Sequence, residues 1–108
     1  MPRTRVSEVA FLYRVGAKEI LIELNQKGPK RFTELYQLTD GKSGKRVFKT
    51  VATLAHRLRE MTVLNLIKRC VENIPGQHLI IRYEITEAGK KVLDHLIEIE
   101  KTIDSSKF

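Results

Sequence analysis

Two β-branched, largely apolar runs, Leu66 to Glu72 and Leu79 to Ile85, flank the six residues Asn73-Ile74-Pro75-Gly76-Gln77-His78. Pro-Gly suits the centre of a type II turn, so the pair reads as a β-hairpin. What precedes and follows it is helical. From Ser7 to Val15, the residues Val9, Ala10, Leu12 and Tyr13 fall at helical spacing behind Ser7 as candidate N-cap. Phe11 and Val15 make that segment apolar nearly all round, more than a surface helix of a monomer needs. Gly16 breaks it. Ala17, Ile20, Leu21 and Leu24 form the stripe of a second helix, closed by Gly28-Pro29.

Arg31-Phe32 reads as short and extended, and Thr33 as the cap of a brief helix through Leu38 that buries Leu35. After the insertion Thr39-Asp40-Gly41-Lys42-Ser43-Gly44, a longer helical stripe runs through Val47, Val51, Leu54, Leu58 and Met61. Either Ser43 or Thr50 can cap it. Arg46, Lys49, Thr53 and His56 lie opposite that stripe at about 100° per residue, with Arg57 beside them. Thr86 is placed to cap a last helix, in which Val92, Leu96, Ile99 and Ile103 recur with coiled-coil spacing. Helix-turn-helix followed at once by a hairpin is the order of a winged-helix domain. The expected class is α+β, mainly α: a winged helix-turn-helix with a two-stranded wing and a C-terminal dimerisation helix.

Charge follows the same boundaries. The 108 residues carry 20 Lys+Arg against 13 Asp+Glu, a formal +7, and Lys27 to Arg59 alone holds nine bases against two acids. From Tyr83 to Asp104 the sign reverses, with six acids facing three lysines. A basic block that coincides with the helix-turn-helix points to a polyanionic partner, double-stranded DNA. No apolar run reaches the ~18 residues of a membrane span, and the N-terminal residues lack a signal peptide's apolar core. One domain over residues 1–108 is expected, acting in the cytoplasm, or on the nucleoid if the source is prokaryotic. Cys70 has no partner for a disulfide or a cysteine metal site. It reads either as a reactive thiolate near two bases or as a half-buried structural residue. His56, His78 and His95 fall on different elements, and Gly41-Lys42-Ser43-Gly44-Lys45 lacks the spacing of a phosphate-binding loop. No enzyme, cofactor or metal is implied.

The motifs carry a family resemblance. Gly28-Pro29-Lys30-Arg31-Phe32-Thr33-Glu34-Leu35 resembles the GPxRFxEL stretch of HxlR-type winged-helix transcriptional regulators, relatives of the MarR family. Arg57-Leu58-Arg59-Glu60-Met61 is similar to their RLREL, and Leu66-Ile67-Lys68-Arg69 to the opening of their wing. Tyr83-Glu84-Ile85-Thr86-Glu87-Ala88-Gly89 resembles the joint between wing and last helix. The matches run in order from about Val9 to Ile97. Lys18-Glu19 stands where those regulators usually carry Lys-Trp, and Asn65 where they carry a glycine. The loop before the recognition helix is longer, and the N-terminal cysteine of some members is absent. The resemblance implies fold, dimerisation and DNA binding, and points to no particular small-molecule effector.

On this reading the helix-turn-helix spans about 33–62, the wing about 66–85, and dimerisation helices about 7–15 and 87–103. The expected function is a homodimeric, sequence-specific repressor that reads a palindrome through the helix around 47–61. Lys45, Arg46 and Lys49 would neutralise phosphates, while Thr50, Thr53, His56 and Arg57 complete the recognition surface. Arg57 can contact guanine or pair with Glu60, and His56 can read a base or stay solvated. Lys30, Arg31, Thr33, Lys68, His78 and Arg82 would supply the flank and wing. Val9, Leu12, Val92, Leu96, Ile99 and Ile103 would form the dimer interface, although the last helix can also cover its own core. Two other readings stay open: a sequence-independent architectural DNA binder and a protein-interaction winged helix.

Overall fold

The computed structural model describes residues 14–106, Gln77 excepted. The expected helix over 7–15, with Val9 and Leu12, lies outside the described residues. Helix α1 (Ala17–Lys27) starts at Gly16, whose φ of 79° turns the chain into it. A Cβ on Gly16 would sit inside the Phe48 ring, so glycine is required for space as well as for backbone. Ala17, Ile20, Leu21 and Leu24 are buried as their spacing predicts. The Gly28 N–H closes the helix on Leu24 O at 3.1 Å.

Helix α2 (Phe32–Tyr36) begins two residues earlier than a Thr33 cap would have it. Arg31 is its extended N-cap residue and donates its backbone N–H to Glu34 Oε1 at 2.8 Å. Thr33 sits inside the helix and does not cap it, because the third residue's carboxylate already satisfies that end. Leu35 is fully buried.

The glycine-bearing insertion folds back as a tight loop. Asp40 N–H donates to Lys45 O at 2.7 Å, and Thr39 and Arg46 pair as an isolated bridge. Val47 N–H then donates to Leu38 O at 3.0 Å, and Phe48 enters the core at 0% exposure. Helix α3 (Val51–Val63) therefore starts after these residues, not at Val47. Of the two candidate caps, Thr50 holds the position: it is extended, and its Oγ1 accepts Thr53 N–H at 3.1 Å.

Asn65 takes the left-handed backbone (φ 62°) that leads into strand β1 (Ile67–Asn73). β1 pairs antiparallel with β2 (Leu79–Ile85), in the register Ile67↔Ile85, Arg69↔Tyr83 and Val71↔Ile81. On the outer edge of β2, Lys30 exchanges both backbone hydrogen bonds with Tyr83, at 3.0 and 2.8 Å. Thr86 caps helix α4 (Glu87–Ser106), its Oγ1 accepting Gly89 N–H at 2.9 Å.

The core gathers α1, Leu35, Phe48, the inner face of α3, Leu66, Ile67 and the first half of α4. Each fully buried Leu or Ile there contributes roughly 1.5–3 kcal/mol. Val92 and Leu96, expected at a dimer seam, belong to this core at 3% and 0% exposure. They sit where α4 passes the hairpin base and α1, so the protomer itself covers them. Further along the same stripe Ile99 and Ile103 are 42% and 55% exposed.

Candidate nucleic-acid interface

At about 100° per residue, Leu54, Leu58 and Met61 point α3 into the core, and Ala52, His56, Arg59 and Val63 stand opposite them. Arg57 is only about 60° round from Leu54 on the same count. It is 9% exposed, its Nε donates to Val15 O at 2.8 Å, and its guanidinium pairs with Glu60. The expectation that Arg57 reaches a base edge is therefore corrected: it clamps α3 to the segment ahead of α1. Glu60 also takes Arg14 Nη1 at 2.7 Å and lies 3.6 Å from His56 Nε2. His56 stays largely solvent-facing on the outer side of the helix.

Arg59 was not among the expected recognition residues. It is exposed on the same strip as Ala52 and His56, with no acid partner among the described residues. The signal was present, since Arg59 lies three residues after His56. Thr50 and Thr53 are joined at the helix start, their hydroxyl oxygens 2.8 Å apart.

Lys45, Arg46 and Lys49 are exposed just before α3, on the folded loop and the residues after it rather than on the helix. Arg46 stacks 4.7 Å over the Tyr36 ring, and its Nη2 donates to Gln37 Oε1 at 3.4 Å. Tyr36 Oη donates to Lys49 O at 3.4 Å, which holds the backbone under the Lys49 side chain. Neither Lys45 nor Lys49 is ion-paired among the described residues, so their charge is available to phosphate.

The flank and wing are more nearly neutral than their bases suggest. Lys30 Nζ lies 3.9 Å from Glu34 Oε2, and Arg31 and Thr33 are exposed beside it. Across the wing Lys68 pairs with Glu84 at 2.8 Å, and Arg82 pairs with Glu72. The Lys68 ammonium holds the Glu84 carboxyl below its ordinary range, and that carboxylate raises Lys68 in turn. His78 is exposed at the tip. Arg69, on the opposite face from Lys68, has no acid partner among the described residues. With Arg59, Thr62, Val63, Phe32 and Tyr83 it lines an open cleft of about 330 Å³ between α3 and the wing. Cys70 is half-buried, and burial followed by the Glu84 charge pushes its thiol up. Of its two readings this favours the structural one, because the nucleophilic thiolate is disfavoured.

A short helix, a turn, a second helix with an exposed polar face, and a hairpin edged by Lys30 define a winged helix-turn-helix, a class of DNA-binding transcriptional regulators and not of enzymes. The HxlR-like helix-turn-helix family model matches residues 17–107, and the chain belongs to that family. Diamide-treated YodB from B. subtilis superposes with a TM-score of 0.76 at 23% identity, covering 100% of this chain and 97% of that one. A protein described as a MarR-family transcriptional regulator, from Enterococcus faecalis V583, superposes at 0.73 with 24% identity, covering 97% and 91%. In sequence, the uncharacterized protein MJ0944 of Methanocaldococcus jannaschii is 31% identical over 99 residues, covering 92% of this chain and 75% of that protein.

Proposed function

We propose that this protein is a homodimeric transcriptional repressor that reads a palindromic DNA site through α3 and acts in the cytoplasm, on the nucleoid if the source is prokaryotic. The observation that carries the reading is one continuous surface. Ala52, His56 and Arg59 face outward on α3, Lys45 and Lys49, without an acid partner among the described residues, flank its N-terminus, and the wing adjoins its other end. A recognition helix lies in the major groove with its N-terminal residues on base edges and with flanking lysines on phosphates. Exposed Ile99 and Ile103 on α4 support dimerisation, since a second copy would remove them from water. Two recognition helices about 34 Å apart would then match two half-sites one helical turn apart.

The test separates phosphate contacts from base contacts. Lys49→Ala should weaken binding to every duplex and lower the salt slope by about one per protomer, so about two for a dimer. Arg59→Ala should cost about 1–3 kcal/mol at one base pair of each half-site and relax preference there. Binding unaffected by either substitution would remove α3 as the reading element.

A further inference from the structure

The first turn of α3 presents carbon where a DNA-reading helix would be expected to present hydrogen-bonding groups. Val51, its first residue, is 53% exposed, and Ala52 beside it is exposed as well. Neither contributes to the protomer's core. The two threonine hydroxyls nearby are turned to each other: Thr50 Oγ1 accepts Thr53 N–H at 3.1 Å and lies 2.8 Å from Thr53 Oγ1. Arg57, the arginine closest to this turn along the helix, is drawn inward to Val15 O and Glu60.

Among the features a base pair shows in the major groove, guanine, adenine and cytosine offer donors and acceptors. Only thymine offers an apolar group, its 5-methyl. We infer that Val51 and Ala52 are specificity residues that recognise thymine 5-methyl groups, Ala52 on the outward strip with His56 and Val51 at the exposed edge of the same turn. The inference rests on the DNA-binding reading above and deepens it. Base choice under the first turn is made by exclusion of water from a methyl, and hydrogen-bonded readout is left to His56 and Arg59 further along.

The experiment uses the full-length protein and the duplex it selects from a random pool. Each thymine of one half-site is replaced in turn by deoxyuridine, which keeps every hydrogen-bonding group and removes only the methyl. Affinity is read by fluorescence anisotropy at fixed salt. At one or two thymines the replacement should weaken wild-type binding about four-fold, the worth of one buried methyl. In Val51→Ser the penalty at one of those positions should vanish while the salt slope stays as in wild type. Val51 is exposed at the helix start, so this variant retains the fold, and the wild-type scan needs no variant. The inference is overturned if no thymine responds to loss of its methyl. It is equally overturned if the same penalty persists in both Val51→Ser and Ala52→Ser. If no duplex is preferred over random DNA, the reading beneath it fails as well, and the selection step alone reveals that.

Discussion

Replacing Arg57 with alanine should unfold the protein more readily and leave its base preference alone. The side chain is 9% exposed, so its interactions are made largely away from water. The losses include the 2.8 Å bond from Nε to Val15 O and the pair with Glu60. Hydrogen bonds to a charged group are worth about 1.5–3 kcal/mol each, and the Val15 carbonyl would lose its guanidinium donor. Glu60 keeps Arg14 at 2.7 Å and remains partly solvated, which limits the penalty on its side. The expected loss is about 2–4 kcal/mol. With a urea slope of about 1–3 kcal/mol/M for a chain of this size, the midpoint should fall by roughly 1–2 M. Circular dichroism in urea at one fixed protein concentration measures it, because dimerisation would make stability concentration-dependent. Arg57→Lys keeps the charge but loses the planar fork, and should fall between wild type and alanine. An unmoved midpoint together with lost preference at one base pair would refute the structural role.

The remaining perturbations probe the joints that position the recognition surface. Gly89 is buried in the first turn of α4, where a Cβ would press on the Leu66 carbonyl and stand 2.8 Å from Ile85 Cγ1. Gly89→Ala should cost about 1–3 kcal/mol by overpacking, and an unchanged thermal midpoint would show that the wing is not seated there. Glu34 has its carboxyl pKa lowered chiefly by the Arg31 N–H it accepts. A depressed folded value means its stabilisation is present above the unfolded pKa and is lost as pH falls through the folded one. Glu34→Gln should flatten the stability-against-pH curve between about pH 5 and pH 3, whereas a curve of unchanged steepness would assign that acid sensitivity to other carboxylates.

Much of the fold was legible because local chemistry and tertiary packing agree. Gly16, Gly28, the Pro75-Gly76 turn, Asn65 and the Thr86 cap each mark a boundary that the structure keeps. The start of α3 was not legible. Val47 and Phe48 extend the apolar stripe backwards without a break, yet one serves a loop bridge to Leu38 and the other plugs the core beneath Gly16. Periodicity cannot separate an apolar residue buried by a helix from one buried by the loop before it. Arg57 misled for a related reason: a long stem lets a charged head lie at the edge of a core face, and its partner at Val15 is 42 residues away. Arg59 was hidden within a family motif although the helical spacing exposes it. Along α4 a single stripe has two environments, because the helix outruns the protomer's core: Val92 and Leu96 are covered by the chain itself, and Ile99 and Ile103 stay exposed.

The central claim is that two copies of α3 read one palindrome. Footprinting on the selected duplex, with affinity compared against random duplexes at the same salt, tests it most directly. Two protected patches about one helical turn apart are expected, with binding at least ~10³-fold tighter than to random DNA. Equal affinity for both duplexes, or a single unpaired patch, would contradict it.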